Sequence, residues 1–120
     1  MKEPLFELLE QKSRFVGYAF EIFDSLEFKP IKQQIKEANK SASHVCYAFV
    51  CGGSSSCSDD REPPHTAGSQ ILSEIQKVGD KNLAVVVVRY FGGKKLGKKN
   101  LTLAYRECAK QTIVKYMENK

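Results

Sequence analysis

The chain has 120 residues, a length that suits one domain built around one core. At 42% hydrophobic and 28% charged it is excluded from the disordered class, and no apolar run approaches the roughly 18 residues of a membrane helix. The net charge of +5 is unevenly spread: residues 81–120 hold ten Lys or Arg against Glu107 and Glu118, while residues 1–80 hold nine basic and twelve acidic residues. Such asymmetry favours a polyanionic partner such as RNA or the ribosome, the plainer alternative being a solvated basic helix face.

Met1-Lys2-Glu3-Pro4 leads into no apolar segment of signal-peptide type, so the expected location is the cytoplasm, with no membrane partner. Leu5–Leu9 and the aromatic, β-branched run Arg14–Ile22 predict two strands. The first segment also suits a short helix; a strand is preferred because the polar residues between the two fit a hairpin connection. Pro30 suits the first turn of a helix, and Ile31, Ile35 and Ala38 follow at helical spacing, ending near Asn39. Residues 43–51 form a third strand pattern, broken by Gly52-Gly53-Ser54-Ser55-Ser56, which opens a polar loop running to His65.

Ala67, Ile71, Leu72, Ile75 and Val78 make one helical stripe, with Thr66 as the expected N-cap and Gly79 as the C-cap. Leu83-Ala84-Val85-Val86-Val87-Val88 does not alternate, which predicts a strand covered on both faces near the middle of a sheet. A last helix is expected from about Asn100, its stripe including Leu101, Ala104, Tyr105, Cys108 and Thr112. The order β-β-α-β-α-β-α predicts a single α+β domain over residues 1–120: a two-layer sandwich, a four-stranded sheet with its helices on one face.

Cys46, Cys51, Cys57 and Cys108 show no CxxC pair and no paired His motif, so neither a structural zinc site nor any other metal or cofactor is expected. Cys46 and Cys108 read as small core residues, and Cys57, in the polar loop, as the most exposed thiol.

Three stretches carry more function-type residues than packing requires: Lys12-Ser13-Arg14-Phe15, Ser58 to Gly68, and Arg89 to Lys99. In the last, Arg89, Lys94, Lys95, Lys98 and Lys99 would meet phosphates, and Gly92 and Gly93 would let a backbone approach. Tyr90 or Phe91 would stack on a base, only one of them facing solvent because adjacent strand residues point oppositely. Arg14 joins this anion-binding set. In the second stretch Asp59, Asp60, Glu62 and Thr66 form a possible acidic-loop site. Its carboxylates can bind a divalent metal or serve as acid and base. The simpler expectation is that they pair with Arg14, Arg89 or backbone N–H groups near Thr66. His44 and His65 support no catalytic triad, and His44 at a strand start suits a hydrogen-bonded structural role.

Taken together, Ser13-Arg14-Phe15, His44, Asp59-Asp60, Glu62-Pro63, Thr66-Ala67-Gly68, Arg89 through Gly93, Lys95-Leu96-Gly97, and Leu101 with Ala104-Tyr105 resemble the pattern of the IMPACT N-terminal domain family. The resemblance spans about residues 12–113. It implies a fold like the second domain of a small-subunit ribosomal protein, shared with RNase PH-type enzymes. It further implies nucleic-acid or ribosome binding with a role in translation regulation. Eukaryotic relatives imply a different partner, a protein that activates a stress-responsive initiation-factor kinase. A third reading is a metal-dependent enzyme on a phosphorylated or nucleotide substrate, using Asp59, Asp60 or Glu62. Bacterial relatives often carry a ferredoxin-like domain after this one, and eukaryotic relatives an extra N-terminal domain; neither is read in these residues. Two departures stand out. Arg61 and His65 occupy positions that are usually glycine, a strain if those positions need positive φ. Lys98-Lys99-Asn100 replaces small residues and adds charge at a helix N-terminus.

Overall fold

In chain order the elements are β1 (Phe6–Glu10), β2 (Ser13–Glu21), a 3-10 turn (Ser25–Glu27), α1 (Phe28–Ala38), β3 (His44–Cys51), β4 (Ser54–Ser58), α2 (Gly68–Val78), β5 (Leu83–Tyr90) and α3 (Gly97–Glu118). They are seen in a computed structural model described over residues 2–120; Met1, the first of the four N-terminal residues read above for a signal segment, lies outside it. One antiparallel sheet contains all five strands in the order β1-β2-β5-β3-β4.

The valine strand is central, as its lack of alternation requires, and Leu83 through Val88 are all 0% exposed. Leu83, Val85 and Val87 face one core with Ile71 and Ile75 of α2 and Tyr105 and Cys108 of α3. Ala84, Val86 and Val88 face a second core with Phe28 and Ile35 of α1. Each buried valine contributes roughly 1.5–3 kcal/mol relative to exposure, so both faces demand cover.

The four-stranded, single-faced arrangement is therefore corrected in two respects. There is a fifth strand, β4, and helices cover both faces: α2 and α3 one, α1 the other. The Phe28 ring anchors α1, lying 4.6 Å from Tyr47 and 4.8 Å from Phe49. Gly52 and Gly53, at φ 56 and 82, make the two-residue turn that folds β4 back onto β3. A third correction concerns α3, which starts at Gly97; Asn100 lies inside its first turn, donating from Nδ2 to the Leu96 carbonyl at 3.2 Å.

Register explains why distant residues meet. Antiparallel pairing sets Arg14 opposite Tyr90 and His44 opposite Arg89. The start of β2, the start of β3 and the end of β5 thus lie at one end of the sheet. The turn into α3 leaves from that same end.

Candidate anion-binding site and its buried ion pair

A buried ion pair joins the acidic loop to the sheet. Arg89 and Glu62 are each 6% exposed, and Arg89 Nη1 donates to both Glu62 oxygens at 3.1 and 3.0 Å. Arg89 Nη2 donates to Ser13 Oγ at 3.3 Å, bringing in the first marked stretch. The Tyr105 hydroxyl on α3 donates to Glu62 Oε2. His44 Nδ1 lies 2.8 Å from the Asp60 carbonyl, which only accepts, so this nitrogen carries a proton; Nε2 then faces Glu62 Oε1 at 3.5 Å. Cys46 Sγ is 3.3 Å from both the Tyr105 hydroxyl and the Asp59 carbonyl, and its one proton can serve either. Burial pushes the Cys46 thiol and the Tyr105 phenol far above their ordinary values, so both remain protonated donors.

The other two carboxylates hold the loop backbone. Asp59 Oδ1 accepts from Ala67 N and Gly68 N at 3.1 and 2.7 Å, and Oδ2 from His65 N at 3.1 Å. Asp60 Oδ2 accepts from Val45 N at 2.7 Å. Asp59 thus caps α2 from a distance. Thr66, expected as that cap, instead donates its hydroxyl to the Pro63 carbonyl at 2.6 Å, and the N-cap residue is Ala67. Arg61 and His65 both adopt φ 67, the left-handed region that glycine fills without strain. Among the described residues no group of three or more His, Cys, Asp or Glu side chains is placed to hold a metal ion. Asp59, Asp60 and Glu62 point at separate partners.

The three marked stretches converge, but their residues divide into two sets. Arg89 belongs to the interior and its charge is matched by Glu62. Gly92 is also internal: a Cβ there would lie 1.9 Å from the Lys12 carbonyl oxygen, so its close approach is to the protein's own backbone. Arg14 pairs with Glu7 at 3.2 Å and covers the Tyr90 ring at 4.4 Å. The Tyr90 hydroxyl donates to Asn39. On the surface stand Gly93, Lys94, Lys95, Lys98 and Lys99, all exposed, with the half-exposed ring of Phe91 and the buried anchor Leu96. Among the described residues none of these four lysines pairs with a carboxylate. They flank the start of the 22-residue helix α3, which has no side-chain cap. Its free N–H groups add to the positive potential there.

Two cavities adjoin this turn. One, of about 350 Å³, lies between Glu62, Arg89, Phe91, Lys95 and Lys98, with Leu96 and Leu101 in its wall. The other, of about 380 Å³, lies between His65, Lys98, Lys99 and Arg106. Cys57 is exposed, with its thiol raised by partial burial and then by Asp59, which disfavours the thiolate; Cys46, Cys51 and Cys108 are buried, and burial pushes Cys108 up to about 12.

Ser13, Tyr105 and Asn39 were not singled out as site residues from sequence, although each ties the site together. Tyr105 left a readable sign: a hydroxyl on an apolar helix stripe needs a buried partner.

No helix among the described residues is long and apolar enough to cross a membrane. The sequence profile of the Impact N-terminal domain matches residues 11–113. The IMPACT family member YvyE of Bacillus subtilis is 37% identical over 82% of this chain and 47% of its own length. YigZ of Escherichia coli, also an IMPACT family member, is 33% identical over 79% of this chain and 49% of its own. A crystal structure described as that of a hypothetical protein superposes with a TM-score of 0.88, at 30% identity over 92% of this chain and 57% of its own. The two-domain translational regulator Yih1 shares the fold, with a TM-score of 0.59 and 23% identity over 94% of this chain and 46% of its own. The chain spans about half the length of the curated relatives it matches. On the profile match, and on this identity to its relatives, the chain belongs to the Impact N-terminal domain family.

Proposed function

We propose that the domain binds RNA, free or within the ribosome, through the lysine turn at the start of α3, and that it acts in translation control in the cytoplasm. The observation that carries this reading is the cluster Lys94, Lys95, Lys98 and Lys99: exposed, paired with no carboxylate among the described residues, and set around a helix N-terminus without a side-chain cap. Phosphates neutralise such a cluster with release of counterions. The charge of residues 81–120, ten basic against two acidic, supports it, as does the likeness to Yih1, a translational regulator. Arg89 has no direct part in this contact, and Arg14 contributes at most from the side. A kinship with the ribosomal-protein domain fold, implied by the family resemblance, fits the same reading.

The test is RNA binding as a function of salt. The parent is expected to lose affinity steeply, with a logarithmic slope of roughly 0.7 per phosphate contacted on a single strand. The Lys94→Glu/Lys95→Glu/Lys98→Glu/Lys99→Glu variant should fold and lose binding. Undiminished binding by that variant would overturn the assignment. A protein partner is the second reading, favoured by the Yih1 name. A partner retained from extract after nuclease treatment, and still held by the four-lysine variant, would favour it.

A further inference from the structure

The cavity between Glu62, Phe91 and Lys98 has two unlike halves: walls of Pro63, Phe91, Leu96 and Leu101, and a rim carrying Lys95 and Lys98. We propose that it is a nucleotide subsite, which takes one unstacked base of an RNA strand against Phe91 while the lysines hold the adjoining phosphates. This rests on the RNA reading above and names what the strand places there.

Two observations carry it. The first is the match of halves. A free inorganic anion would leave the apolar walls unfilled, and an apolar side chain would leave the lysines unmatched. A base joined to its phosphate satisfies both. A volume of about 350 Å³ lies within the range of small-ligand pockets and has room for one nucleotide.

The second is the state of the two aromatics. Tyr90 is committed, its face to Arg14 and its hydroxyl to Asn39. Phe91 has the Arg89 guanidinium toward its ring at 5.7 Å but no polar anchor of its own, and at 49% exposure much of the ring faces water at the cavity wall. Bases stack on such rings with little regard to sequence, because every base has a π-face.

The experiment compares a short single-stranded RNA with the same backbone made abasic, by fluorescence anisotropy at one salt concentration. The parent should bind the abasic strand about tenfold more weakly, the worth of one stacked base. Phe91→Ala should bind intact RNA about tenfold more weakly and cease to discriminate between the strands, while Phe91→Tyr, which keeps a ring, should restore the preference. Because the Phe91 ring is half in water, Phe91→Ala should stay folded, with a melting temperature lowered by only about 5 °C. If the parent binds both strands equally, or if Phe91→Ala binds intact RNA like the parent while the four-lysine variant does not, the base subsite is overturned and the phosphate contact stands. If the parent shows no salt-dependent binding to either strand, the RNA reading itself falls.

Discussion

Arg61 and His65 show what a single backbone angle demands. Both sit at φ 67, and a left-handed residue with a Cβ costs roughly 1–2 kcal/mol. The loop holds His65 there with bonds that do not depend on its side chain: His65 N donates to Asp59, and the His65 carbonyl accepts from Gln70 Nε2 at 3.1 Å. Arg61→Gly with His65→Gly should therefore relieve strain, offset in part by the greater freedom of glycine in the unfolded chain. The expected net gain is roughly 1 kcal/mol for the pair, a rise in Tm of about 3–6 °C by calorimetry. A fall in Tm would mean that the side chains contribute more than the backbone loses. This strain was legible, since positions usually glycine point to positive φ. The fate of Arg89 was legible only in part. Pairing of the acidic-loop carboxylates with Arg89 was the simpler expectation, yet Arg89 also reads as a binding residue at the end of its strand, because Glu62 lies 27 residues away and only the topology selects it as the partner.

Local rules worked best for elements whose stabilising contacts are local. The stripes of α2 and α3 and the unbroken apolar run of β5 were readable because each face is set by nearby residues. β4 was missed because Ser54–Ser58 is poor strand material, held by its register with β3 rather than by propensity. Gly52-Gly53 was a hairpin signal that had been read only as a break. The single-faced layer conflicted with the reading of β5 itself, because a strand covered on both faces needs a helix on each. α1 supplies that cover; Pro30 stands in its first turn, as expected, and its anchor is Phe28 just before. The cap of α2 was legible only in outline, as acidic-loop carboxylates meeting backbone N–H groups near Thr66; that Asp59 is the one to reach Ala67 and Gly68 is set by the loop, beyond the one-to-three-residue window in which caps are sought. Asp59→Ala should cost about 1–2 kcal/mol in urea unfolding, the usual worth of a charged cap. It should also speed hydrogen exchange at the Ala67 and Gly68 amides while leaving the β5 amides unchanged. Protection at those two amides equal to the parent's would show that the cap is dispensable.

The whole molecule is organised so that one end of the sheet is both closed and charged. Closure comes from the Glu62–Arg89 pair, which gathers β2 through Ser13, the acidic loop, β5, and α3 through Tyr105. Charge comes from the lysines on the turn above it. This separation predicts different behaviour for the two sets. Glu62→Gln leaves the Arg89 guanidinium buried without a counter-charge, and Arg89→Met leaves the Glu62 carboxylate with only the Tyr105 hydroxyl and His44 beside it; each should cost about 3–5 kcal/mol. Replacing both removes the two buried charges together, so Glu62→Gln/Arg89→Met should be far less destabilised than the sum of the single changes, with a coupling of at least about 2 kcal/mol. Urea unfolding of the four proteins measures this cycle directly. Additive losses would mean that the pair is not a structural unit. The double variant should also retain the salt-dependent RNA binding assigned to the lysines, because it leaves Lys94, Lys95, Lys98 and Lys99 in place. A folded double variant with the parent's salt slope separates the residues that build this end of the sheet from those that meet the ligand, whereas one that has lost the slope would return Arg89 to the binding surface.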